Sequence, residues 1–155
     1  MDPILDALPP GLWTATIAPE DAALRLGSAL ALSGVIGFER ELKGRSAGLR
    51  THMMVGLASA LFVLLAFELF GWVSQRDDPA TADPLRVIEA VTAGVAFLAA
   101  GAIFRAGDSI RGLTTGAGLW LAGAVGAACG VGVIGLAALA TALALLVLRL
   151  MRLLE

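Results

Sequence analysis

Five apolar runs divide the chain, at residues 24–38, 52–72, 87–104, 113–129 and 131–148, and each holds at most one charged side chain. A helix closes its backbone hydrogen bonds within itself, so it can cross hydrocarbon, where a stretch of about 17 to 20 apolar residues suffices. Composition settles which solvent the runs face. Of the 155 residues, 58% are hydrophobic and 15% charged, against roughly 45–50% and 25% in soluble domains. So small a chain would expose more apolar surface to water than it could bury. The expected fold is therefore an all-α membrane protein of about five transmembrane helices. Little but Gly130 separates the last two runs. Read as one helix, their roughly 36 residues at about 1.5 Å each would overshoot a core of about 30 Å, so a tight turn is expected between them.

Residues 1–21 read as an extramembrane lead-in, with residues 22–155 forming one polytopic domain. Asp2, Asp6, Glu20 and Asp21 replace the basic start of a secretion signal, and Pro9 and Pro10 interrupt the short apolar stretch. Leu8, Leu12 and Trp13 suit a membrane interface. Arg40, Lys43, Arg45 and Arg50 follow the first run, Arg105 and Arg111 the third, and Arg149 and Arg152 the fifth. All eight fall on one side of the membrane. Arg76, Arg86, Asp77, Asp78 and Asp83 fall on the other, so the positive-inside bias places the N-terminus outside and the C-terminus in the cytoplasm.

Small residues recur every fourth position in two runs, as Ala29, Ser33 and Gly37 and as Ala122, Gly126 and Gly130. Such stripes let helices approach closely in lipid, either within one chain or at the seam of a homodimer. Two segments also resemble each other. Superposing Gly48 on Gly112 pairs Leu49 with Leu113, Thr51 with Thr115, Leu57 with Leu121 and Ala58 with Ala122. Helices 1–2 and 3–4 would then be parallel repeats, with helix 5 appended.

Each of these segments places a glycine and then hydroxyls at the start of a helix, where free N–H groups and partial positive charge favour anions. Glu39, Arg40, Arg50, Thr51, His52, Arg105, Arg111, Thr114 and Thr115 form the candidate cytoplasmic recognition face, beyond simple anchoring by basic residues. It suits a phosphate, a lipid headgroup or an acidic protein segment, and is a poor place for a bare divalent cation. Glu39 and Lys43 have i,i+4 spacing, worth a few tenths of a kcal/mol, and buried pairing of Glu39-Arg40 with Arg50 or Arg105 is a further expectation. His52, the sole histidine, reads as a hydrogen-bonding residue rather than a metal ligand, since no second histidine or cysteine stands beside it. Arg25, Glu68 and Glu89 lie toward the outer ends of the first three helices. They are read either as an intramembrane charged cluster, able with Asp77, Asp78 and Asp83 to concentrate Mg²⁺, or as side chains snorkelling to the interface. Phosphate-binding loops, cysteine clusters and cofactor fingerprints are absent from the sequence, so no enzymatic activity and no cofactor are expected.

The run Gly37-Phe38-Glu39-Arg40-Glu41, followed by Ala47-Gly48-Leu49-Arg50-Thr51-His52, resembles the signature of the MgtC/SapB family of bacterial inner-membrane proteins. So do residues 97–103, Arg111 to Thr115 and Trp120, and the likeness covers about residues 25–132. The resemblance implies a five-helix membrane domain with a cytoplasmic C-terminus, to which many members add a soluble C-terminal domain. It further implies links to magnesium homeostasis, to survival inside host cells and to inhibition of the ATP synthase. Ala96 and Ala99 stand where the family usually has glycine, and Ala90 where it tends to have glutamine. Two functions follow as expectations. One is a regulator of another membrane complex, acting through the recognition face. The other is a small transporter, for Mg²⁺ or a solute, working as a dimer with Arg25, Glu68 and Glu89 as coupling groups. The expected partners are the lipid bilayer, a complex such as the ATP synthase and a second copy of the chain, with no nucleic acid.

Overall fold

Pro19 opens the first helix, α1 (Pro19–Leu42), where its fixed φ suits the first helical position and its missing N–H costs nothing. Glu20 and Asp21 add negative charge to the same turn, which the helix dipole favours. Helical structure thus begins inside the segment expected to precede the membrane domain. The computed structural model describes residues 17–74 and 83–150, so the rest of the lead-in, together with Arg76, Asp77, Asp78 and Arg152, lies outside the described residues. Four further helices follow: α2 (Leu49–Ser74), α3 (Pro84–Gly101), α4 (Leu113–Val131) and α5 (Ile134–Leu150). The five runs and the five helices correspond one to one. Of the helices, α1, α2 and α4 are long and apolar enough to cross a membrane.

Two boundaries differ from the expectation. The third run was expected to continue to residue 104, but α3 stops at Gly101. The Ala102 and Ile103 N–H groups fold back onto the carbonyls of Ala99 and Ala100, which tightens and ends the helix. A hairpin follows, β1 (Phe104–Ala106) against β2 (Ser109–Arg111), turning through Gly107 and Asp108. Phe104, the last residue of the third run, lies exposed on it together with Ile110. The α4–α5 turn also moves. Gly130 lies inside α4, buried against Ala60 and Val63, and the chain reverses at Gly132, whose φ of +99° closes the helix with N–H bonds to Ala128 and Cys129.

α4 is the hub and touches every other helix. It crosses α2 where Gly126 meets Gly56, so closely that a Cβ on Gly126 would overlap the Gly56 carbonyl. A Cβ on Gly56 would in turn overlap Ser33 of α1. Ser33 Oγ donates to the Ala122 carbonyl across 3.4 Å, joining the third side of the triangle. Both small-residue stripes are therefore buried inside the chain: Ala29, Ser33 and Ala122 are fully covered, and Gly37 packs against His52 and Leu49. Large apolar side chains face outward instead, Phe97 at 80% exposure among them, an arrangement that water would penalise and lipid does not.

The paired glycines mark the same point in two helices, since α2 begins one residue after Gly48 and α4 one residue after Gly112. Upstream the halves diverge, as α1 runs on to Leu42 while α3 gives way to the hairpin.

Candidate functional site

The end of α1, the starts of α2 and α4, and the hairpin gather at one end of the bundle. The last turns of α1 carry Glu39 and Arg40 inward, 8% and 4% exposed. Glu39 is ion-paired through Oε1 with Lys43, the expected i,i+4 partner. The Lys43 ammonium also donates to the Leu148 carbonyl at 3.1 Å, so one amine grips the ends of α1 and α5. Glu41 turns the other way. Its carboxylate accepts the Leu49 N–H at 2.7 Å and caps the N-terminus of α2, where the helix dipole favours negative charge.

Arg40 has no such arrangement. Its Nε is buried without a hydrogen-bond partner, and it joins no ion pair among the described residues. A buried donor left without a partner costs about 1–3 kcal/mol. It borders a cavity of about 400 Å³ whose other walls are Arg45, Ile110, Arg111, Gly112, Leu113, Thr114 and Thr115. This volume falls within the roughly 300–1,000 Å³ of small-ligand sites. The floor is the N-terminus of α4, which no side chain caps among the described residues. Gly112 shapes it. With φ at +86° and its Cα against the Ala102 carbonyl, no side chain fits there.

The structure thus brings Arg40, Arg111, Thr114 and Thr115 of the expected face to one cavity. Others stand apart. Arg50 and Thr51 are exposed on the first turn of α2. Arg105 reaches only its own hairpin, donating to the Gly107 carbonyl at 3.0 Å and lying 3.9 Å from Asp108. The buried pairing expected of Glu39-Arg40 with Arg50 or Arg105 therefore does not form, and Glu39 uses Lys43. His52 is fully buried. Its Nδ1 lies 2.9 Å from the Gly48 carbonyl, and because a carbonyl only accepts, Nδ1 carries the proton there. Nε2 faces Gly118 of α4, with no hydrogen-bond partner among the described residues.

Arg25, Glu68 and Glu89 serve separate neighbours. Arg25 donates to the Gly130 carbonyl at 3.0 Å, a cation at the C-terminus of α4. Glu68 accepts the Ile17 N–H at 3.1 Å. Glu89 is exposed on α3, and Asp83, also among the carboxylates considered for Mg²⁺, instead caps that helix through the Leu85 N–H.

The model of the MgtC family matches residues 26–155, which take in nearly the whole bundle and all of the cavity. The chain belongs to the MgtC family. This MgtC match reaches past residue 132 to include α5, which the motif resemblance did not cover. Protein MgtC of Brucella abortus (strain 2308) is 41% identical over 127 residues, 82% of this chain and 50% of that protein. The Escherichia coli (strain K12) protein named Putative magnesium transporter YhiD is 39% identical over 126 residues, 81% of this chain and 58% of that one. An uncharacterized protein of Synechocystis sp. is 35% identical over 125 residues. The chain spans about half the length of the curated relatives it matches. No solved structure matches it.

Within the MgtC family fold, two further residues shape this end. Arg45, in the α1–α2 connection, is one of the arginines whose density suits an anion, and the fold sets it in the same cavity as Arg111. Glu41 caps α2 without any capping motif in the sequence, because the turn after α1 brings a carboxylate eight residues upstream to the Leu49 N–H.

Proposed function

We propose that the chain is a multi-pass protein of the bacterial inner membrane, linked to magnesium homeostasis, that regulates another membrane complex through its basic end. The orientation that accompanies this reading has that end in the cytoplasm, as the distribution of Lys and Arg favours. The magnesium link rests on the names of the relatives. The observation that carries the regulatory reading is the Arg40 cavity, where cationic groups and an uncapped helix start face outward together.

A second reading, a small dimeric transporter for Mg²⁺ or another solute, draws on the name of the Escherichia coli relative. Mg²⁺ flux into liposomes holding the purified protein separates the two, with Glu89→Gln run alongside. The regulatory reading expects no flux above empty liposomes. Saturable flux that Glu89→Gln abolishes would replace it with the transporter. A photocrosslinker installed at Arg50, exposed on the first turn of α2 at the same end of the bundle, is expected to capture a second membrane protein in cells.

A further inference from the structure

The two related helix starts differ in one respect. On α2 the carboxylate of Glu41 sits on the Leu49 N–H, 2.7 Å away. On α4 no side chain of the described residues does so, and Leu113, Thr114 and Thr115, whose N–H groups have no place in the intrahelical ladder, border the cavity. Arg40, 96% buried and with Nε unpartnered, approaches the same space from α1, while Arg45 and Arg111 approach from two separate connections. Glu39 is ion-paired with Lys43, and its neighbouring charge offsets that of Arg40 only in part.

We propose that this cavity binds a phosphomonoester, whose dianionic group lies on the N-terminus of α4 between Arg40, Arg45 and Arg111. The inference rests on the reading of this end as a recognition surface and names the chemistry recognised. One arginine fork satisfies a flat, singly charged carboxylate. Three guanidinium groups from three segments, backbone N–H groups below and the Thr114 and Thr115 hydroxyls suit a tetrahedral group that offers oxygens in every direction and carries more than one charge. The volume of about 400 Å³ admits the ester's organic part as well as its phosphate. Ile110 and Leu113 supply an apolar margin for that part.

A phosphomonoester reaches this place either from water or as the headgroup of a lipid, and one pair of probes separates the sources. Glycerol 3-phosphate and dioleoyl phosphatidic acid share the phosphate and differ in the acyl chains. The full chain, purified in neutral detergent, is melted with each probe and with phosphatidylcholine. Binding to the folded state alone raises the melting temperature, by several degrees when the probe is in large excess over its dissociation constant. A rise with glycerol 3-phosphate identifies a soluble ligand, and a rise with phosphatidic acid alone identifies the headgroup. Arg40→Gln and Arg111→Gln are each expected to weaken the effective probe by about 10- to 100-fold, the worth of one hydrogen bond to a charged group. Arg149→Gln, on the exposed last turn of α5, is expected to bind as the parent does. Without probe, Arg40→Gln is expected to melt no lower than the parent, whereas a merely structural arginine would be missed. If Arg40→Gln does not fold, the exposed Arg111→Gln carries the test. No rise with either phosphate probe, or a rise that survives Arg111→Gln, overturns the proposal. Stabilisation by an acidic peptide alone also overturns it, in favour of a protein carboxylate. Failure here leaves the crosslinking at Arg50 to judge the regulatory reading separately.

Discussion

Single atoms decide much of this molecule, because its helices meet through residues that have almost no side chain to yield. A methyl group at Gly56 would strike Ser33, while Ser33 itself makes only a long bond of 3.4 Å to Ala122. Ser33→Ala is accordingly expected to cost under about 1 kcal/mol, and Gly56→Ala well over that, with backbone displacement between α1 and α2. Because the overlap is largely with Ser33 Oγ, the double variant should recover part of the loss. Melting all three variants in detergent checks that coupling, and strict additivity would mean the helices simply move apart. Gly112→Ala combines left-handed strain with overlap on the Ala102 carbonyl. A loss of at least about 2 kcal/mol is expected in the same assay. Ser33 and Ala122 are visible in the sequence as members of small-residue stripes and Gly56 is not, and which helix each stripe would touch is not visible at all. Spacing along one helix says nothing of its neighbour, and only the fold shows both stripes consumed within the bundle.

At the scale of the element, helix ends matter more than helix centres. Glu41 holds the start of α2, Arg25 the end of α4, and Lys43 the end of α5. Glu41→Ala should destabilise by about 0.5–2 kcal/mol, the usual worth of a helix cap. Hydrogen exchange would show it as faster opening confined to the first turn of α2, whereas faster exchange throughout the bundle would mean that Glu41 has a wider role. The five helices were legible because hydrocarbon demands a long apolar run and few other structures satisfy that demand. The hairpin was not. Phe104 and Ile110 look like lipid-facing residues, and the turn signal of Gly107 and Asp108 is only two residues long. The cavity was half legible: Arg111, Thr114 and Thr115 share a motif, while Arg45 lies more than sixty positions away and joins them only through tertiary structure.

Taken whole, the bundle has a basic end and an opposite end where Arg25 meets Gly130. The proposed orientation predicts labelling from different sides. With Cys129 replaced by alanine, cysteines introduced at Arg50 and at Ser109 should react with an impermeant maleimide only after the membrane is opened. One at Asp83 should react in intact cells, and the reverse pattern would invert the orientation. One small feature of the basic end governs its readiness. Glu39 and Arg40 are adjacent, oppositely charged and both buried, and the Glu39 charge already acts on Arg40. Lys43 intervenes by occupying the carboxylate while it is itself anchored to α5. It works as a chaperone in the social sense, standing between two neighbours so that one remains free for a visitor. Lys43→Met should let Glu39 turn to Arg40, and the cavity would then close to anions without the loss of a single group that lines it.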